Sequence, residues 1–199
     1  MMQGYLFALV LLLLPAFHAS AREPKTAHEM LQADTQEILP RYLLAGPDGQ
    51  AVSNEDFRGR FQLIAFGYTF CPDICPTTLV EMAEILRLLG EQSGQVRAIF
   101  ISVDPERDTP QILKVYTAFF DPRIIGLTGS SELVKRAARN FKVRYAKVIP
   151  TSGDSKNYAV DHAAGMFLIG QDGLLVKKFA YGAPVNEVLA EIRRFLPVE

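Results

Sequence analysis

Cysteine is nearly missing from this 199-residue chain; there are two, Cys71 and Cys75. A disulfide-stapled scaffold is therefore excluded, and a chain of this length needs none, because it can bury a full core in one domain. Excess charge of one sign is missing as well. The 21 Lys and Arg residues balance 22 Asp and Glu to a formal charge of −1, which leaves no overall basic footprint for nucleic acid. Long hydrophobic runs are missing too. The one apolar run near the N-terminus, Tyr5 to Phe17, spans 13 residues, short of the roughly 20 that a membrane span needs. Tryptophan is absent, and histidine occurs only as His18, His28 and His162. There is no internal repeat and no low-complexity tract.

The apolar run is followed by His18-Ala19-Ser20-Ala21, with small residues at Ala19 and Ala21. This is the pattern of a secretory signal peptide over residues 1–21, cut after Ala21. The preceding Met1-Met2-Gln3-Gly4 carries no Lys or Arg, so an uncleaved anchor, with residues 5–17 held at a membrane, is the alternative. Either way the expected location is outside the cytoplasm, in or facing the periplasm. Residues 22–38 are polar without a sustained apolar face and read as a flexible lead-in, in which His28 is solvated. The compact domain is expected over residues 39–197.

Within that domain strand and helix patterns alternate. FQLIAFGYTF is a continuous apolar run of the kind buried on both faces of a sheet. From Leu79 the apolar positions follow a helical period through Met82, Ile85, Leu86 and Leu89, with Gly90 as the stop. VRAIFISV is a second buried strand. Thr109 and Pro110 supply an N-cap and a first-turn proline, and Ile112, Val115, Tyr116, Phe119 and Phe120 follow at helical spacing. IIGLTG reads as a short strand, SSELVKRAARNF as a capped helix. Two strands turn around Gln171-Asp172-Gly173, and a last helix starts at Pro184. This order predicts an α/β fold with helices on both faces of a sheet.

The two thiols sit in FGYTFCPDICPTTL, where the first buried strand gives way to its helix. A loop closed by residues this close removes little entropy from the unfolded chain, so a purely structural disulfide would gain little stability. A reactive or metal-binding pair is the better reading. Cys75 is expected just ahead of a helix N-terminus, where free N–H groups favour thiolate, the form that attacks disulfides and ligates soft metals. Pro72 and Pro76 stiffen the loop. His162 is the domain's one histidine. Two Cys and one His suit copper in either oxidation state, and zinc would also fit.

Three blocks, GYTFCPDICPTTL, SVDPERDTP and DHAAGMFLIGQDG, together resemble the Sco/SenC family of copper-binding proteins, over roughly residues 39 to 197. The resemblance implies a thioredoxin-like fold: a central mixed sheet with helices on both faces and an inserted hairpin. It implies that Cys71, Cys75 and His162 bind Cu(I) and Cu(II), and that copper is delivered to the dinuclear copper centre of cytochrome c oxidase. The implied partner is the copper-site subunit of that oxidase, with another copper carrier or a thiol reductant upstream. Asp73, Asp104 and Asp161 stand where carboxylates can tune or orient the ligands, or else serve turns and solvent. Asp108 is expected to cap the helix at Thr109, and Met166 to lie in the core. The alternative function is a thiol–disulfide oxidoreductase that uses Cys71 and Cys75 to keep a partner's copper-site cysteines reduced. The extra residue between the thiols, relative to C-x-x-C, favours metal over general exchange. A thiol peroxidase is disfavoured, since Thr69 lies two residues before Cys71 and no arginine is clearly paired with it.

Overall fold

The computed structural model describes residues 38–150 and 158–196. The export segment 1–21, nearly all of the lead-in and His28 lie outside the described residues. In chain order the elements are β1 (Leu43–Ala45), β2 (Ala51–Ser53), β3 (Phe61–Gly67), α1 (Ile74–Leu89), β4 (Val96–Ser102), α2 (Pro110–Phe120), β5 (Ile125–Leu127), α3 (Ser131–Asn140), β6 (Tyr145–Val148), β7 (Ala159–His162), β8 (Gly165–Ile169), β9 (Leu175–Ala180) and α4 (Val185–Arg193). Among the described residues no helix is long and apolar enough to cross a membrane.

The core is a five-stranded sheet in the order β5-β4-β3-β8-β9. β3, β4 and β5 run parallel, while β8 and β9 are antiparallel to their neighbours, so the sheet is mixed. Every residue of β3 is buried, as a continuous apolar run at the centre of a two-sided sheet requires. Alternation splits its side chains between two faces. On one face Phe66 meets Phe141, just past α3, at 5.2 Å, and Phe141 meets Phe167 of β8 at the same distance. On the other, Gly67 faces Cys75 of α1, and Phe100 of β4 packs against Tyr116 of α2. α4 packs on α1. Helices thus cover both faces.

Caps fall where the sequence places them. The Thr109 side chain accepts the Ile112 amide with Pro110 in the first turn, and Ser130 accepts the Leu133 amide. Gly90 ends α1 at φ +57. The turn between β8 and β9 falls at Gly170–Leu174.

Three features differ from the sequence reading. α1 begins at Ile74, not Leu79, so Cys75 and Pro76 lie inside its first turn. A proline there costs nothing, since first-turn N–H groups have no helical partner. The apolar stripe of α2 is only partly buried, with Tyr116 and Phe120 half-buried against the core. Leu113 and Thr117 are its buried residues, whereas Phe119 is 85% and Val115 74% exposed. Finally, the two-stranded ribbons β1–β2 and β6–β7 escape periodicity, because β6 shows solvent on nearly every residue. The β6–β7 ribbon is a separate two-stranded sheet outside the central one.

Candidate metal centre

The C-terminal ends of β3 and β4 meet at the registered pair Gly67 and Ser102. The chain leaving β3 carries Tyr68, Thr69, Phe70 and Cys71 over this edge before α1 begins. Gly67 is required there. A Cβ added to it would lie 2.6 Å from both the Cys75 sulfur and the Phe100 ring, so the strand can approach the thiol only without a side chain. Cys71 is half-buried and Cys75 buried, both as free thiols. Asp73 occupies the N-cap position of α1 but makes no capping bond. Instead the Cys75 amide points at the Cys71 sulfur, 3.4 Å away.

His162 reaches this thiol from the far end of the sequence. It ends β7, whose register with β6 pairs it with Tyr145. Its Nε2 lies 3.6 Å from the Cys75 sulfur, across 87 positions of chain. Its Nδ1 faces the Val160 carbonyl at 3.3 Å. A carbonyl only accepts, so the neutral ring carries its proton on Nδ1 and turns the Nε2 lone pair toward the sulfur. Tyr68 stands edge-on to the ring at 5.8 Å.

The donor set fits a soft metal ion. A sulfur and a nitrogen each bonded to one ion at about 2.0–2.3 Å lie roughly 3.6 Å apart at a tetrahedral angle. Cys71 stands one turn away. Among the described residues no three ligating side chains are gathered into a group that could hold an ion as they stand. The expectation of a thiolate at Cys75 is corrected. Burial pushes its thiol well above the ordinary range, against which the Tyr68 amide lowers it. Inside the first turn and under the sheet edge, desolvation outweighs the helix dipole. A cation bound at this sulfur would favour the thiolate by replacing its proton.

The carboxylates divide differently from the sequence reading. Asp73 and Asp161 are exposed, and His162 is oriented by the Val160 carbonyl, not by Asp161. Asp104 is fully buried. It takes an ion pair from Arg107 and a 2.7 Å hydrogen bond from the Tyr158 hydroxyl. Arg107 also donates to the Tyr158 carbonyl at 3.0 Å, and its guanidinium lies over the rings of Tyr158 and Phe70 at 3.7 and 4.6 Å. It therefore clamps the start of the His162-bearing strand to the loop that carries the thiols. Asp108 does not cap α2, a role Thr109 fills. Its buried carboxylate accepts the Thr69 amide and hydroxyl and the Ser102 hydroxyl. Burial raises its pKa, and those hydrogen bonds oppose the rise. Thr69 is thus tied to a carboxylate rather than a thiol. Met166 is buried in the core.

Gly67, Arg107 and Tyr158 were missed by sequence reasoning. Arg107 had a visible sign, its spacing of three from Asp104 within SVDPERDTP. Tyr158 had none, because its partner is 54 positions away.

Residues 31–197 match the family model described as SCO1/SenC. A SCO2-like protein of Rickettsia felis is 35% identical over 167 residues, covering 84% of this chain and 81% of its own. The structure of ScoI from Bradyrhizobium japonicum with copper bound superposes with a TM-score of 0.72 at 40% identity, over 80% of this chain and 99% of that one. BsSco, a member of the Sco family of cytochrome c oxidase assembly proteins in which a disulfide switch has been identified, matches with a TM-score of 0.62 at 25% identity, over 79% and 92%. The fold is thioredoxin-like, and the chain belongs to the SCO1/SenC family.

Proposed function

We propose that this chain carries one copper ion on Cys71, Cys75 and His162 and delivers it to the copper-site subunit of cytochrome c oxidase, on the outer side of a membrane. The observation that carries this reading is the 3.6 Å approach of the His162 Nε2 lone pair to the Cys75 sulfur. Relatives support it: the Bradyrhizobium ScoI structure holds copper, and BsSco belongs to a family of oxidase assembly proteins. Copper is the cargo. The two soft sulfurs suit Cu(I), and the added imidazole suits Cu(II). The Val160 carbonyl holds the ring with Nε2 toward the metal, and the buried Cys75 proton leaves to solvent as the ion enters. Cys71, the more exposed thiol, is the one a receiving protein can reach first.

A second reading shares the same sulfurs. The free thiols one turn apart can close a disulfide, giving two electrons and two protons to a partner disulfide that becomes two thiols. Ligation needs both sulfurs as thiolates, so metal and disulfide exclude each other. His162 separates the readings. Under copper delivery, anaerobic titration gives one Cu(I) per reduced chain, Cys71→Ala and Cys75→Ala abolish stoichiometric binding, and His162→Ala weakens Cu(II) more than Cu(I). His162→Ala then keeps disulfide exchange but fails to restore oxidase activity in cells lacking the native protein. Full restoration by that variant hands the function to the reductase reading.

A further inference from the structure

Six basic residues, Lys135, Arg136, Arg139, Lys142, Arg144 and Lys147, fall within 13 consecutive positions that contain no acid. The chain as a whole is −1, so all its other residues together carry −7. The fold keeps this concentrated charge outside, and all six are exposed. α3 and β6 enclose a groove of about 460 Å³ whose walls include Lys135, Arg139, Arg144 and Lys147. Lys147 is matched by Glu106. Among the described residues no acid forms an ion pair with Lys135, Arg136, Arg139 or Arg144. Three of the groove's residues, Arg144, Tyr145 and Ala146, also line a second hollow with Asp161, His162 and Ala163. The cationic ground therefore begins beside the His162 ring.

Most of this charge is not spent on ion pairs within the fold: among the described residues Lys135, Arg136, Arg139 and Arg144 have none. Lys135 and Arg139 are one helical turn apart, a like-charge pair that works against α3, and clustered charge of one sign repels itself. Its position suggests a use. A metal passes between proteins only when the receiver's ligands reach the same ion, so the receiver must cover the surface around His162. There it meets a basic groove.

We propose that the α3–β6 groove is the docking surface for an acidic protein, the one that exchanges metal at the adjoining Cys75–His162 pair; this rests on the copper-delivery reading. The groove's field steers that partner into register and speeds encounter, as complementary potentials do. An anionic membrane would feel the same attraction, but it brings no ligand to a metal, and the surface is a concave groove where a bilayer is flat.

The test uses the full metal-free chain and the copper-site domain of cytochrome c oxidase from the same organism. Association is followed by stopped flow from about 20 to 300 mM salt, a range over which screening shortens strongly. Wild type should associate fast at low salt and slow steeply as salt rises. Lys135→Glu with Arg139→Glu should slow association about tenfold at low salt and flatten the salt dependence; the Gln pair should fall between. Lys178→Glu, exposed on β9, should match wild type. Copper loaded per chain should be the same in all four. Unchanged association in the Glu pair, or a wild-type rate that ignores salt, overturns the proposal. So does a Glu pair that loses only binding to phosphatidylglycerol–phosphatidylcholine vesicles, which assigns the groove to a membrane. A chain that loads no copper yet docks through Lys135 and Arg139 sinks the copper reading alone and keeps the surface.

Discussion

Two strand-to-helix junctions lie side by side at one edge of the sheet, and they are built oppositely. β3 leads to α1 through the thiols; β4 leads to α2 through Asp104 and Asp108. In the second, every charged group is engaged. Asp104 takes Arg107 and Tyr158, Asp108 takes Thr69 and Ser102, and Thr109 caps the helix. In the first, the side chain of the N-cap Asp73 makes no capping bond and a sulfur stands in for the cap. The rigid junction also reaches across to hold the other. Asp108 fixes the backbone at Thr69, and Arg107 pins Phe70 and the strand that ends in His162. The thiols are left with few fixed contacts, on a backing held by an ion pair and hydrogen bonds.

The strongest way to break this contrast is Arg107→Ala, which strands Asp104 as a buried charge. It should cost about 3 kcal/mol, read by urea unfolding, and should also raise the access of His162 to diethylpyrocarbonate in the metal-free chain. Unchanged His162 reactivity would mean that the clamp serves stability alone. The contrast sharpens with paired cap removals. Thr109→Ala should lose about 1 kcal/mol, whereas Asp73→Ala, at the matching position of α1, should change stability by less than about 0.5 kcal/mol, as surface changes without a bonding partner do. Equal losses would erase the distinction. The smallest effect is a control at the opposite end of α2. Arg123 hydrogen-bonds Asp121 and holds its carboxyl below the ordinary value. A depressed carboxylate stabilises the fold above its unfolded pKa of about 3.9, and that contribution disappears as pH falls through the lower folded value. Because Arg123 is 43% exposed, solvent screening keeps it under about 1 kcal/mol. Asp121→Asn should flatten the acid limb of the unfolding curve by that amount and leave both junctions untouched.

Much of this was legible beforehand because it depends on neighbours in the chain. The continuous apolar runs of β3 and β4 predict central strands, and Thr109-Pro110 and Ser130 predict caps. What failed were inferences that needed a contact to be known. Ile112, Val115, Tyr116, Phe119 and Phe120 repeat like a core face, yet the helix buries Leu113 and Thr117, leaves Tyr116 and Phe120 half-buried against the core and turns the other three toward solvent. Asp108 sits where a cap belongs, but Thr109 fills that role, and the carboxylate goes to a loop 39 positions away.

The sequence by itself determined the central strands β3 and β4 and the helix caps, the pair of sulfurs at one strand end and the +6 stretch at 135–147, since each is written in consecutive residues. The tertiary structure alone decided that His162 faces Cys75, that Cys75 is buried with its thiol pKa pushed up, and that the basic stretch borders the imidazole. Those depend on β7 pairing with β6 and on desolvation under the sheet edge, and both arise from packing between segments far apart in the chain.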